Sequence, residues 1–401
     1  MPATRFTPYP LLAIAVCLFL QPPFSARSQE TVQVGIVLPL TGPQSFFGEM
    51  ERGSFELALE EINAAGGIGG TQLEFQFADD RSRPDDGALA AQRLIDQDRV
   101  VMLGGGYSSA VTARIAELAQ QQRTPFLINT GAADAITENG WEYVFRLNPT
   151  SSEYVAAAFE FLSEVVQPRT AAVIYENTAF GQSQSRSFKD ACRKTGVTVV
   201  LEESYSHADF KLWSIIQILM NLKRAKPDVV YMISYVTDAS MLMTQARALR
   251  WQPKVYFGGG AGFTLPAFYD LTQEAAEGVF TVTLWHQSLP YPGAMEYFSK
   301  FKERYDREPD YHGAEACAAA HVIADVLRRA ESFDREAVRE ALLATRVTTP
   351  FGPVEFVSDG GKTNQNRLET YVGQWIGGTL RLVWPRDVAQ GEYIYPTEPR
   401  P

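Results

Sequence analysis

Short apolar runs alternate along this chain with longer segments whose apolar positions recur at helical spacing. Val32 to Leu38 reads as a strand, Phe47 to Ala64 as an amphipathic helix, and Leu73 to Phe77 as a second strand. A helix near Asp86 to Gln97, a strand ending at Leu103, a helix from Ser109 to Gln122 and a strand at Pro125 to Ile128 follow. Strands alternating with helices predict parallel sheet with crossover helices. The run NAAGGIGG, Asn63 to Gly70, supplies glycine where the first helix needs a left-handed residue to stop.

The alternation then starts afresh. Strands are expected at Ala171 to Tyr175, Val197 to Leu201, Asp228 to Ile233 and Lys254 to Phe257, with helices at Gly181 to Lys194, Lys211 to Arg224 and Ala239 to Leu249 between them. Two such sets predict an α/β protein of two doubly wound lobes, with Arg146 to Pro149 as the seam. After a strand at Val279 to Leu284, three helices (Gly293 to Tyr305, Gly313 to Ala330, Asp334 to Leu343) have no strand between them, so they should cover a sheet already built. Strands at Leu368 to Trp375 and Leu380 to Trp384 precede a proline-rich tail expected to fray.

The bulk chemistry narrows the function. A chain of 401 residues is long for one core and comfortable for two. Its net charge of -11 argues against nucleic acid, whose binders need a basic surface, and no polybasic segment would hold it on an anionic membrane. Arg5, the apolar block Leu11 to Leu20 and Ala26-Arg27-Ser28 form an export signal, residues 1–28, with Gln29 the expected mature start. That block is too short to span a bilayer. A lipid anchor on Cys17 is disfavoured by the bulk of Val16 before it. Export then leaves Cys192 and Cys317, expected as buried thiols rather than a bridge.

The candidate chemistry is concentrated in GGGYSSAVTAR, Gly104 to Arg114. A helix starting just after a strand presents free N–H groups and the positive end of its dipole. Ser108 and Ser109 are good N-cap residues, and the glycines admit a ligand to the backbone. A dinucleotide fingerprint fails because Ser109 stands at its last glycine position, and no Walker lysine follows. The esterase pattern falls one glycine short at Gly106-Tyr107-Ser108-Ser109-Ala110, and the four histidines suit no triad. No cofactor or metal is expected. The acidic run Asp79 to Gly87 carries Arg81 and Arg83 where a calcium loop needs oxygens. Helix capping and ligand contact remain equal readings of the two serines at this point.

The order VGIVLPLTGPQSFFGEMERGSFELALEEINAAGGIGG, VVMLGGGYSSAVT, TPFLINTGAADAIT, AAVIYENTAFGQS, PDVVYMISYVTDASMLMTQAR and FGPVEF strongly resembles the Leu/Ile/Val-binding periplasmic proteins, the type I solute-binding subunits of ABC importers. The resemblance implies two lobes joined by three crossing strands and closed by a hinge over a ligand. It implies lobes of 29–148 plus 285–350 and of 149–284 plus 351–390, with 391–401 as the frayed tail. Ser108 matches the serine that holds the ligand carboxylate through hydroxyl and N–H. Ala132 and Ala133 match a loop that offers backbone groups, where the family often has a threonine hydroxyl in place of Ala133. Phe47 and Phe180 match aromatic positions that close over the ligand, and Tyr235 a second-lobe tyrosine at its polar end. Tyr107, Ser109 and Gly260 complete the expected lining.

One position departs. The acidic residue that pairs with an α-ammonium should fall in FGGGAGF, where this chain has Gly260 or Ala261. A buried ammonium without an anion is costly, so another carboxylate supplies the charge or the ligand has no amine. Asp238, Glu176 and Glu315 are candidates; a helix cap is the plainer reading of Asp238, and a solvated helix position that of Glu315. The expected function is capture of a small carboxylate, such as an aliphatic amino acid or an aromatic acid, by a periplasmic monomer that docks on a membrane ABC permease. A sensory binding module and a secreted serine hydrolase are the rival classes.

Overall fold

The computed structural model describes residues 1–4, 31–207 and 211–396. Most of the expected export signal and its cleavage site therefore lie outside the described residues, as does 397–401 of the expected tail.

The first lobe begins β1 (Thr31–Leu38), α1 (Ser45–Ala64), β2 (Gln72–Asp79), α2 (Pro84–Asp96), β3 (Leu103–Gly105), α3 (Ser109–Gln121), β4 (Phe126–Ile128), β5 (Val144–Arg146). The second runs α4 (Ser151–Phe161), β6 (Thr170–Glu176), α5 (Ala179–Thr195), β7 (Thr198–Tyr205), α6 (Leu212–Ala225), β8 (Val229–Ile233), α7 (Val236–Ala248), β9 (Val255–Gly258), α8 (Pro266–Thr272), β10 (Phe280–Thr283). Helices α9 (Ala294–Tyr305), α10 (Tyr311–Arg329) and α11 (Arg335–Leu343) follow, then a small ladder of β11 (Arg346–Thr349) with β12 (Gly352–Glu355). Strands β13 (Val357–Asp359), β14 (Lys362–Gln365), β15 (Tyr371–Ile376) and β16 (Thr379–Trp384) end the fold.

Each lobe is built on a seven-stranded sheet, in the order β13-β14-β5-β4-β3-β1-β2 and β16-β15-β10-β9-β8-β6-β7. Strands in the middle of these sheets are covered on both faces, which is why β8 reads as the unbroken apolar run VVYMI and is buried throughout. Edge strand β7 instead carries Glu202 and Glu203 on an alternating, partly exposed strand, chemistry that discourages pairing with another chain. Helix α10 lies on α1 and behind β3 and β4, so the strandless helices cover the first sheet, as their pattern predicted.

The chain crosses between lobes three times, after β5, after β10 and after β14. Buried amides tie two crossings together: Gln365 Nε2 donates to the Asn148 carbonyl at 2.8 Å, and Asn366 Nδ2 to the Leu147 carbonyl at 3.0 Å. Two expectations need correction. Residues 351–390 do not all belong to the second lobe, because β14 pairs in parallel with β5 and carries β13 into the first sheet. Nor does the tail fray from 391: Gln374 exchanges hydrogen bonds of 2.8 and 3.0 Å with Ile394, and the Tyr393 ring packs on Phe161. Cys192 and Cys317 are free and buried, one in α5 and the other in α10.

Candidate ligand-binding cleft

The carboxyl ends of β3 and β4 in one sheet, and of β6, β8 and β9 in the other, face each other across the seam. Such ends are where open α/β sheets bind ligands. Between β3 and α3 the backbone must turn through left-handed φ at Gly105 (100°) and Gly106 (86°). A Cβ at Gly105 would lie 2.3 Å from the Val37 carbonyl oxygen, so these glycines serve the fold first. Ser108 stands at the N-cap of α3 with extended backbone, yet its side chain makes no capping bond. Ser109 Oγ is turned away to accept the Ala133 N–H at 3.1 Å. Neither serine is a helix cap. Among the described residues no side chain caps the leading amides of α3, which form the positive end of its dipole.

The loop after β4 is held from every side. Asn148 donates to the Thr130 carbonyl at 2.6 Å, and the Ser151 N–H and hydroxyl both donate to that of Ala132. Fully buried Arg146 donates to the carbonyls of Gly131 (3.2 Å) and Ala133 (2.8 Å), to Thr137 Oγ1 (2.7 Å) and to Gln365 Oε1 (2.6 Å). Desolvation lowers this guanidinium to about 10, still charged at neutral pH. Burial alone would raise Asp134, but the Ser152 hydroxyl and the charge of Lys362 overcome it and hold its carboxyl below the ordinary range. Asp134 also accepts from Ser183 of α5 at 3.0 Å, and Thr264 Oγ1 donates to Asp310 at 2.9 Å, so the lobes touch and the cleft is closed.

Behind this loop lies a buried pair of acids. Thr130 Oγ1 is 2.6 Å from Glu51 and 3.0 Å from Glu315. One hydroxyl proton cannot serve two carboxylates, so at least one acid holds its own proton. Burial pushes Glu51 up to about 8, and burial with the nearby Glu51 charge pushes Glu315 well above its ordinary range.

Two compartments share Tyr235. The inner one, about 20 Å³, is walled by the Tyr107, Tyr154, Phe180, Tyr235 and Tyr311 rings together with Ser109, Thr130, Ala132, Ala261 and His312. The outer one, about 370 Å³, has Ser108, Ala110, Gln44 and Ser82 on the first-lobe side and Glu176, Thr178, His207 and Asp238 on the other. Asp238 is 1% exposed; its Oδ1 is 2.9 Å from His207 Nδ1, and its Oδ2 has no hydrogen-bond partner among the described residues. Glu176 Oε2 likewise has none. Burial raises both acids, Glu176 to about 8 with Asp238 adding to it.

A family model described as "Periplasmic binding protein" matches residues 31–379. The chain belongs to that family. It is similar to "Leu/Ile/Val-binding protein homolog 7" of Brucella melitensis, 27% identical over 402 residues that cover 96% of this chain and 99% of the relative. Among solved structures it resembles the branched-chain amino acid transporter substrate binding protein LivJ from Streptococcus pneumoniae in complex with isoleucine. The TM-score is 0.80 at 21% identity, over 89% of this chain and 100% of that one. A solute binding protein from R. palustris in complex with benzoate has a TM-score of 0.77 at 20% identity, over 88% and 95%. The fold is thus the type I periplasmic binding fold, and this is a solute-binding protein of the transporter kind, not an enzyme.

In this binding protein the residues singled out from sequence divide between the compartments. Tyr107, Ser109, Ala132, Phe180 and Tyr235 line the inner one, and Ser108, Tyr235 and Asp238 the outer. Phe47 does not line either compartment: the third residue of α1, it is stacked on Tyr107 at 4.5 Å and lies 4.8 Å from His312, so it stiffens the wall from behind. The Ala133 N–H and carbonyl already have protein partners, as does the Ala132 carbonyl. Gly260 stands beside the cavity with φ 81°, next to Tyr154 and Tyr311, while Ala261 lines it. Asp238 caps nothing, because α7 begins at Val236 and Asp238 sits inside its first turn. Glu315 is fully buried rather than solvated. Thr130, Tyr154, Tyr311, His312 and Glu51 were missed. A signal for Tyr311 and His312 was available: they open YHGAEACAAA, Tyr311 to Ala320, a run of mostly small residues that is buried throughout.

Proposed function

We propose that this protein captures a small carboxylate between its lobes, outside the cytoplasm, and as a monomer hands it to the membrane permease of an ABC importer. The observation that carries this reading is the uncapped start of α3, opening on a compartment of about 370 Å³ walled by both lobes. A carboxylate there meets a helix end worth about 0.3–2 kcal/mol. Hydrogen bonds to the ionised group add roughly 1.5–3 kcal/mol each. One buried apolar side chain adds about 1.5–3 kcal/mol. After the cost of association these terms give micromolar affinity. Groups on the second lobe favour the closed state because they reach the ligand only there.

The branched-chain names of the relatives support an aliphatic amino acid as the ligand. A second reading, an aromatic carboxylate, draws support from the benzoate-bound neighbour. Thermal shift of the full chain tests the shared claim, because a ligand that binds only the folded state raises Tm. Aliphatic amino acids, hydroxy acids, keto acids and benzoates are each compared with their neutral amides. Stabilisation by acids and not by amides is expected. Equal stabilisation by an amide, or none by any acid, would overturn the reading.

A further inference from the structure

The outer compartment has a sign. Among the described residues no lysine or arginine lines it, and the titratable groups are Glu176, Asp238 and Tyr235 from the second lobe and the partly exposed His207. Tyr235 is kept neutral by burial, its hydroxyl within reach of Thr178 and Gln44. His207 engages one oxygen of Asp238 and leaves the other bare. A carboxylate oxygen buried without a donor costs free energy that a bound cation would return. Asp238 supplies such an oxygen while 1% exposed, and Glu176 supplies a second on the same wall. Opposite them stands the positive start of α3 at Ser108 and Ala110. The two walls are electrostatically opposed, and they suit a ligand that is itself a dipole.

We infer that Glu176 and Asp238 form a cation subsite that takes the protonated amine of an amino carboxylate, while its carboxylate rests on the start of α3. The assignment rests on the carboxylate capture proposed above and gives it a substrate class. It also accounts for Gly260 and Ala261: the counter-charge is displaced from the β9 loop to the end of β6 and the first turn of α7. Burial favours the neutral forms of both acids, and an ammonium between them would favour their charged forms.

Calorimetric titration of the full chain tests this with matched probes: L-leucine against 2-hydroxy-4-methylpentanoate, and 5-aminopentanoate against pentanoate. The wild-type protein should bind at least one amine-bearing probe tenfold or more tighter than its amine-free partner. The double variant Glu176→Gln, Asp238→Asn should lose that preference by tenfold or more, about 1.4 kcal/mol. It should bind the amine-free partner at least as well as the wild type does. The single variant Glu176→Gln, which disturbs no hydrogen bond to its bare oxygen, keeps the test alive if the double variant does not fold; a threefold or greater loss of the preference is expected. An unchanged preference in a folded variant, or tighter wild-type binding of the amine-free acids, would overturn the cation subsite and leave carboxylate capture standing. Failure of all four probes to bind would overturn the cation subsite, while carboxylate capture stands or falls with the thermal-shift panel and its benzoates.

Discussion

The two walls of the cleft are finished to different degrees. On the first-lobe wall, residues 130–134 are fixed by Asn148, Arg146, Ser109, Ser151 and Ser152, nearly all through buried bonds. On the second-lobe wall, Glu176 and Asp238 each keep a bare oxygen, and the Ala261 N–H finds its acceptor only by reaching across to Tyr311 Oη at 2.9 Å. A wall that needs no rearrangement loses little freedom on binding, so the first lobe is suited to initial capture. A wall whose charges are resolved only by ligand adds its energy on closure, and discrimination between ligands belongs there. This contrast explains why the half proposed to hold the carboxylate was easier to place than the half proposed to select.

The contrast can be broken hardest at Arg146. Arg146→Ala strips partners from two buried carbonyls and from Gln365, and should destabilise the fold by about 3 kcal/mol or more, read from the urea midpoint at unchanged m-value. A loss under about 0.5 kcal/mol would mean that the first wall is not built as described.

Next comes pH. Glu51 titrates near 8 in the folded protein and near its ordinary 4.5 when unfolded, so the folded state binds the extra proton. Its contribution to stability is full below pH 4.5 and falls as pH rises toward 8, by up to about 1.4 kcal/mol per pH unit. Glu51→Gln should flatten that fall in Tm between pH 5 and 8; an unaltered slope would show that Glu51 takes up no proton on folding.

Smaller effects sharpen the division of labour. Ser108→Ala should weaken binding of the best carboxylate about tenfold by calorimetry, with apo Tm unchanged because the hydroxyl caps nothing. Tyr235→Phe removes one hydroxyl from the second wall and should cost two- to fivefold, about 0.5–1 kcal/mol. A larger loss at Tyr235 than at Ser108 would invert the roles given to the two walls.

The alternation of strands and helices, and the restart at Ala171, were legible because long crossover units bury whole faces and leave a strong period. Strands β5 and β14 were not. VFR is three residues long and KTNQ is polar, and the two pair within the first sheet, where the Arg146 side chain also bonds Gln365. Ser108 was found because a helix start after a strand has few uses. That the capping reading fails could not be read locally, since a missing cap is a fact about where the Ser108 side chain points. The acids were hardest to place. A carboxylate inside an all-small helix or at a strand end looks the same in sequence whether it faces water, a threonine or an empty cavity.

The most direct test is a crystal structure with the strongest stabilising acid from the thermal-shift panel. The account predicts its carboxylate oxygens within hydrogen-bonding distance of the Ser108 hydroxyl and the first amides of α3, with the remainder of the ligand enclosed by both lobes. A ligand whose acid group lies elsewhere, with those amides turned to solvent or sealed inside the first lobe, would contradict it.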